Sequence, residues 1–348
     1  MLAPTMISEY GNKLKKFWLL GFCLLVVAMV CVGGITRLTR SGLSIVEWKP
    51  VSGIIPPISE SDWQQQFELY KQTPEYEKVN SHFELADYKQ IFMWEYLHRV
   101  LGRLIFFYVV FPGLYLWRKK FVSGKLVLAL ASLVATQGLI GWLMVKSGLN
   151  VKPHVSPFML ALHFFAALSV LIFAFYHFVK LQKPLSAAVE KHSLRLYHLL
   201  GIGLALQVFY GCLTSGLKAG IGYNTYPLMN GQFFPEGGLF FTPYIVNFFE
   251  NPATVQWTHR WLGISVAFSF ISFAAAMTRS TLWRELRISV IGLLIILFLQ
   301  VALGILNILL VVPISLATLH QLVATLLVLV YFNILFRMKN SENAVAGA

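Results

Sequence analysis

Glu95–Arg103 reads EYLHRVLGR and opens a long apolar run, and its core returns as HRWLG at His259–Gly263. On a helix, Glu95 and His98 share one face, and Gly102 lies one turn beyond the imidazole. An imidazole can bind a metal, and a glycine lets a flat macrocycle approach the backbone. A single histidine in an apolar run is more often a hydrogen-bonded interior residue. The repetition of the motif favours a ligand.

The composition is that of a membrane protein, since 57% of the 348 residues are hydrophobic and only 12% are charged. Eight apolar stretches are long enough to cross the hydrocarbon core. They are residues 17–35, 91–117, 125–145, 157–179, 196–214, 254–277, 288–311 and 315–336. The sequence therefore predicts an all-α polytopic membrane protein, and the even number of spans places both termini on one side.

The net charge of +13 follows the membrane and does not indicate a nucleic-acid-binding protein. Most Lys and Arg residues fall at the ends of spans on the side that holds the termini, which the positive-inside rule makes cytoplasmic. The first apolar stretch lacks a convincing cleavage site and is interpreted as a span. The N-terminal segment lacks the character of a transit peptide. We therefore expect a bacterial inner membrane, or the mitochondrial inner membrane if the protein is eukaryotic.

The second half of the sequence repeats the first. His98 and His163 in spans two and four correspond to His259 and His320 in spans six and eight. The segment that leaves span one, around LTRSGL, resembles LTSGL after span five. We predict two pseudo-symmetric four-helix bundles, residues 1–185 with an outer loop 36–90 and residues 186–348.

The four histidines share a depth in the predicted membrane. Each belongs to an even-numbered span that enters from the outer face, about 6 to 14 Å inside that face at the helical rise. Two histidines at matched depth in one four-helix unit form a six-coordinate haem site. Structural hydrogen bonding is the alternative, and zinc is disfavoured because no third ligand joins either pair. The Gln-x-x-x-Gly patterns of spans three, five and seven are interpreted as helix-packing contacts.

Several further motifs resemble the haem A synthase family over nearly the whole chain. These are GGITRLT at 33–39, SGLS at 41–44, WKP at 48–50, EYLHR at 95–99, QG at 137–138, GW at 141–142, GLKAG at 216–220, YNTYPLM at 223–229 and NFFEN at 247–251. The resemblance implies an oxidoreductase that converts haem O to haem A for a terminal oxidase. The ring methyl of haem O would become a formyl group by successive hydroxylations, with water lost from a geminal diol.

The resemblance also implies a resident haem b in one half and substrate haem O in the other. It implies partners as well: a farnesyltransferase that supplies haem O, an electron donor, membrane lipid and a second copy of the chain in a homo-oligomer. The loops contain no cysteine, because Cys23 and Cys31 lie in span one and Cys212 in span five. The chain therefore looks like the cysteine-lacking group of the family.

Two other functions were weighed against this one. A two-haem cytochrome b that transfers electrons from quinone would need the same histidines, but not Glu95 or the long patterned loops. A prenyl transferase would need paired Asp-rich motifs for magnesium diphosphate, and the sequence has none.

The two repeats differ at Glu95, whose counterpart three residues before His259 is Gln256. A step that moves protons needs an ionisable group. We therefore assign catalysis to the first half, with Glu95, His98 and His163 as catalytic residues. The simpler alternative is an ion pair between Glu95 and Arg99.

In the second half, His259 and His320 are predicted to ligate the resident haem b. Cationic side chains are expected to hold haem propionates. The candidates are Arg37, Arg40, Arg99, Lys152, Lys218 and Arg260.

Overall fold

The computed structural model describes residues 4–47, 52–149, 154–187 and 189–346, and its regular structure is helical throughout these ranges. The α-helices are α1 (Pro4–Leu38), α2 (Glu60–Lys71), α3 (Leu85–Arg118), α4 (Gly124–Leu149), α5 (Pro157–Val179), α6 (Lys191–Gly216), α7 (Asn247–Glu250), α8 (Pro252–Met277), α9 (Trp283–Leu309) and α10 (Ile314–Ala346). Among the described residues, eight helices are long and apolar enough to cross a membrane. This confirms the predicted all-α multi-pass membrane fold.

The helices extend beyond the predicted spans because polar capping residues continue them past the apolar stretch. α3 begins at Leu85, where the Glu84 backbone N–H donates to the Asp87 carboxylate at 3.0 Å. α8 begins at Pro252, and the Asn251 side chain accepts a hydrogen bond from the Ala253 N–H at 3.0 Å. Such caps satisfy backbone donors that a helix leaves unpaired at its N-terminus.

The chain divides into two compact units, Met1–Leu171 and Ile172–Ala348. The division falls within α5, whereas the sequence suggested a boundary between residues 185 and 186. The last turns of α5 pack in the second unit, where Tyr176 and Phe336 place their ring centroids 5.0 Å apart. In the same unit, the Leu185 N–H donates to the Ser341 hydroxyl at 2.8 Å.

In the first unit, α1 packs against α3 and α3 against α4. The first loop, residues 39–84, contains α2, which packs against the start of α3. Their shared core is aromatic. Its buried members are Ile45, Phe67, Tyr70, Tyr88, Ile91 and Phe92.

The short helix α2 lies on the surface within the first loop. A capping box between Ser59 and Asp62 starts it, and hydrogen bonds from Ser59 lower the pKa of the Asp62 carboxyl. The phenol of Tyr70 lies in the core beneath α2 and accepts a hydrogen bond from the Asn80 amide at 2.8 Å. Burial, with the nearby Glu75 carboxylate, raises the pKa of Tyr70. The part of the loop that contains α2 is therefore a packed structure that can hold a fixed position beside α3.

In the second unit, α6 packs against α8 and α10, and α9 packs against α8 and α10. The second loop, residues 217–246, is fastened by two buried amides, Asn247 at the start of α7 and Asn251 at the N-cap of α8. Asn247 accepts from the Phe241 N–H at 2.9 Å and donates to the Phe241 carbonyl at 2.8 Å. Asn251 donates to the Gly237 carbonyl at 2.9 Å. Each unit therefore holds one structured loop beside the helix that carries its first histidine.

Candidate functional site

His98 projects from α3 against a glycine of α1. A Cβ on Gly33 would lie 3.2 Å from His98 Nε2 and 3.5 Å from Cδ2. The ring is half-buried. Because a side chain at position 33 would press on it, the glycine allows the imidazole to lie directly against the α1 backbone.

His163 lies against α4 in the same way. A Cβ on Gly141 would be 2.9 Å from His163 Cε1, well inside the roughly 3.5 to 4.0 Å of an optimal carbon–carbon contact. One turn earlier on α4, the Gln137 amide nitrogen lies 3.2 Å from His163 Nδ1 and donates to the His163 carbonyl at 3.0 Å. Gly141 and Gln137 together fix the ring.

The second unit repeats both contacts. A Cβ on Gly211 of α6 would lie 3.3 Å from His259 Cε1, and one on Gly304 of α9 would lie 3.1 Å from His320 Cε1. The Gln300 amide nitrogen is 3.2 Å from His320 Nε2. Each of the four histidines therefore packs against a glycine of the preceding membrane-spanning helix.

The histidines form two pairs, each within one unit. His98 lies close enough to His163 for their charges to interact, and His259 is similarly close to His320. All four rings are partly exposed. His259 Nδ1 and His320 Nδ1 are buried without a hydrogen-bond partner in the described part of the chain. Paired imidazoles with unpartnered nitrogens and glycines at their edges fit a flat, iron-centred macrocycle.

Glu95 is buried, and both of its oxygens accept hydrogen bonds. Oε1 accepts from Arg99 Nη2 at 2.7 Å and Nε at 3.1 Å. Oε2 accepts from the Ser44 hydroxyl and the Ile45 N–H, each at 2.8 Å. Arg99 also donates to the carbonyls of Ile45 at 2.9 Å and Glu47 at 3.1 Å. The ion pair weighed as the simpler alternative is present, and it fastens the first loop to α3. We call it the Glu95 clamp.

Gln256 and Arg260 fasten the second loop to α8 at the corresponding place. Gln256 Nε2 donates to the Tyr223 carbonyl at 3.2 Å, and its Oε1 accepts from Arg260 Nη2 at 3.2 Å. Arg260 Nη2 also donates to the Tyr223 carbonyl at 2.7 Å, and Nη1 donates to that of Thr225 at 2.6 Å. Only 6% of Arg260 is exposed. We call this pair the Gln256 clamp.

The other predicted cations lie where α1 and α6 end. Arg37 is half-buried in the last turn of α1, and Arg40 and Lys218 are exposed. Arg40 and Lys218 both adopt the left-handed conformation, with φ of 56° and 55°. Lys152 and the WKP motif at 48–50 lie outside the described residues.

These conformations correct the alignment of the two segments that leave α1 and α6. Arg40 follows Gly33 at the same interval at which Lys218 follows Gly211, and both glycines face a histidine. The alignment of LTRSGL with LTSGL by residue identity is therefore shifted by a few residues. The two similar motifs lie at different positions relative to the ends of α1 and α6.

The contact between the Gln-x-x-x-Gly patterns and the histidines was not predicted from the sequence. These patterns do pack helices together, as interpreted, but Gly141, Gly211 and Gly304 each face an imidazole. The available signal was the recurrence of the pattern on each helix that precedes a histidine-bearing span.

Comparison with known proteins gives one consistent result. A family model described as cytochrome oxidase assembly protein matches residues 16–332. The haem A synthase of Nitrosospira multiformis is 42% identical over 323 residues, which cover 91% of each chain. That of Nitrosomonas eutropha is 42% identical over 335 residues, covering 93% of this chain and 94% of the relative. That of Maricaulis maris is 41% identical over 336 residues, covering 92% and 94%.

Proposed function

We propose that this chain, which belongs to the cytochrome oxidase assembly protein family, is a haem A synthase that oxidises the ring methyl of haem O to a formyl group. Two successive hydroxylations, each with an external oxidant that takes two electrons from the methyl carbon and a source of one oxygen atom, would give a geminal diol, and loss of water would leave the formyl group. The observation that carries the proposal is the repeated pairing of His98 with His163 and of His259 with His320, each ring lying against a glycine.

We assign the first half, residues 1–185, to haem O and the second half, residues 186–348, to a resident haem b. His98 and His163 would hold the substrate iron, and His259 and His320 the resident iron. When bound, haem supplies the one-electron redox chemistry that methyl oxidation requires. The chain's own residues orient both groups: the glycines set how closely each ring approaches its neighbouring helix, and Gln137 and Gln300 fix ring rotation.

The proton role assigned to Glu95 has a structural condition. Its carboxylate accepts four hydrogen bonds, from Arg99, Ser44 and Ile45. These bonds occupy the roughly four acceptor positions of a carboxylate. Glu95 can therefore contact a substrate only when the first loop releases at least one of these contacts. We propose that loop movement accompanies the proton step.

The guanidinium groups of Arg99 and Arg260 donate hydrogen bonds to loop carbonyls. Any contact they make with haem propionates would come at the edge of this arrangement, which makes Arg37 and Arg40 the better candidates for propionate binding. Arg37 lies one helical turn and Arg40 about two turns beyond Gly33, the glycine of α1 that faces His98. A planar guanidinium can hold a carboxylate through two parallel hydrogen bonds.

The cellular setting completes the proposal. We place the protein in the bacterial inner membrane with both termini in the cytoplasm, as the distribution of Lys and Arg predicts. It would receive haem O from a farnesyltransferase, take electrons from a separate donor and act as a homo-oligomer. The three cysteines are thiols within α1 and α6. We therefore assign the chain to the group that lacks loop cysteines.

The test is expression of the full-length chain beside a source of haem O, followed by extraction and chromatography of the haems. Wild type is expected to form haem A, and His98→Ala is expected to accumulate haem O. A two-haem cytochrome b would yield haem B alone, with no haem A in either strain. That result would replace the synthase by the electron-transfer function.

A further inference from the structure

One of the four histidines lacks the glutamine that accompanies the others. Gln137, Gln207 and Gln300 each lie one helical turn before the glycine that faces a histidine. The corresponding residue before Gly33 is Met29. His98 is thus the only member of the four with a thioether in place of an amide at this position.

Met29 and Gln207 occupy matching places in their own units. Met29 Cε would lie 3.2 Å from a Cβ on Gly102, and Gln207 Nε2 would lie 2.8 Å from a Cβ on Gly263. Gly102 and Gly263 each come one turn after a histidine, His98 and His259 respectively. The two side chains therefore fill the same kind of gap, one with an amide and the other with a group that donates no hydrogen bond.

The amides lie beside imidazoles with unused hydrogen-bonding capacity. The side-chain oxygens of Gln137, Gln207 and Gln300 are buried without a partner in the described part of the chain. The amide nitrogen of Gln137 lies 3.2 Å from a ring nitrogen of His163, and that of Gln300 lies 3.2 Å from a ring nitrogen of His320. Rotation of the terminal amide by half a turn places its oxygen where its nitrogen was. The oxygen could then accept a hydrogen bond from one ring nitrogen while the other faces a metal.

The pairing of Gln207 with His259 follows from two orphaned atoms. Gln207 Oε1 and His259 Nδ1 are both buried with no side-chain partner among the described residues, and the His259 ring lies within reach of the main chain of Gln207. By contrast, no described residue forms a hydrogen bond with the His98 ring, and the Met29 thioether is at most a weak acceptor.

We propose that Met29 is a positioning residue that leaves His98, one of the two ligands of the haem in the first half, without a supporting amide and so makes that haem exchangeable, whereas in the second half Gln207 and Gln300 support both ligands. The proposal rests on the assignment of haem O to the first half. A metal-bound histidine whose second nitrogen has a hydrogen-bond acceptor is more basic and better oriented, and loss of such a partner typically weakens metal binding 10- to 100-fold. A substrate site must release its product, so one unsupported ligand suits it.

The experiment measures haem loss from the full-length protein in nanodiscs to excess apomyoglobin. Chromatography of the transferred haem identifies haem O or haem B, so each site is followed by its own haem. Met29→Gln is expected to slow the loss of haem O by about 10-fold or more, and Gln207→Met to speed the loss of haem B by a similar factor. Met29→Leu keeps the bulk without an amide and provides the matched control.

The reciprocal design keeps the test decisive if one variant folds poorly. The proposal is overturned if Met29→Gln loses haem O no more slowly than Met29→Leu, or if Gln207→Met retains haem B as long as wild type. His98→Ala separates this failure from failure of the proposed function. Continued haem A formation by His98→Ala would overturn the function itself, whereas unchanged exchange rates with an inactive His98→Ala would overturn only the role of Met29.

Discussion

The Glu95 clamp and the Gln256 clamp perform the same structural task with different charge. Glu95 meets hydrogen-bond donors from the first loop, the Ser44 hydroxyl and the Ile45 N–H. Gln256 meets an acceptor, the Tyr223 carbonyl, and uses its amide nitrogen to donate. The exchange of Glu for Gln between the repeats therefore matches the hydrogen-bonding character of each loop. A chemical difference between duplicated halves can arise from loop complementarity as well as from catalysis.

The largest expected difference between the halves concerns the resident haem. Replacing His259 or His320 by Ala removes a proposed iron ligand, so purified protein should lose most of its low-spin haem b absorption. Replacing His98 or His163 should leave that absorption in place, because these residues belong to the first unit. The measurement is the reduced-minus-oxidised spectrum at equal protein concentration. Full haem b absorption in His259→Ala would reverse the assignment of the halves.

The next largest effect distinguishes the charged clamp from the neutral one. Arg99→Met leaves the Glu95 carboxylate, whose side chain is only 4% exposed, without its counter-ion. Breaking a buried ion pair on one side typically costs about 3 to 5 kcal/mol. Arg260→Met leaves only neutral groups unpaired, for about 1 to 3 kcal/mol.

Thermal unfolding of both variants in the same detergent measures this difference, and limited proteolysis reports which loop is released. We expect Arg99→Met to unfold at the lower temperature and to be cut within residues 39–84. Equal losses in the two variants would show that the charge of Glu95 adds nothing to the clamp.

A smaller effect separates the clamp function of Glu95 from a proton-transfer function. In Glu95→Gln, the amide nitrogen must face either Arg99 or the donors of Ser44 and Ile45, so a hydrogen bond is lost at a cost of about 1 to 3 kcal/mol. Ser44→Ala is the matched control, because it removes one donor to Oε2 and keeps the carboxylate.

The two variants are compared by their unfolding temperature and by the ratio of haem O to haem A in cells. Accumulation of haem O in Glu95→Gln alone would support the proton role. Equal accumulation in both variants would show that Glu95 acts through the position of the first loop. Normal haem A output from Glu95→Gln would remove it from the catalytic residues.

Much of the architecture was predictable because hydrophobic length alone determines membrane spans. All eight spans were expected from the sequence. His98 and His163 lie close enough for their charges to interact, as matched depth predicts, and their role as iron ligands stays a prediction.

The clamps were less predictable. The hydrogen bond between Glu95 and Ile45 joins residues that are far apart in sequence, and no periodicity in the loop indicates its path. The glycine contacts were partly predictable, less so than the membrane spans and more so than the clamps. Gly141 and Gln137 were recognised as a packing pattern, but their partner His163 lies on another helix. Only the repetition of the pattern in the second half could have indicated that pairing.

The smallest expected effect compares the two exposed cations that end α1 and α6. Arg40 and Lys218 have φ of 56° and 55°, a conformation that costs an ordinary residue roughly 1 to 2 kcal/mol. Arg40→Gly removes this strain and the charge together. Relief of the strain, about 1 to 2 kcal/mol, exceeds the roughly 0.4 to 1 kcal/mol by which a glycine favours the unfolded chain, so stability should rise slightly. A lost contact between an exposed guanidinium and a haem propionate should weaken haem O binding by about 0.2 to 1 kcal/mol. Because the two effects have opposite signs, thermal unfolding and haem O titration separate them.

Arg40→Asn also tolerates the left-handed conformation and lacks the charge, so it should repeat the loss of affinity. Lys218→Gly serves as the comparison in the second half, where haem O affinity should not change. Unchanged haem O affinity in Arg40→Gly would show that the residue serves only to end α1.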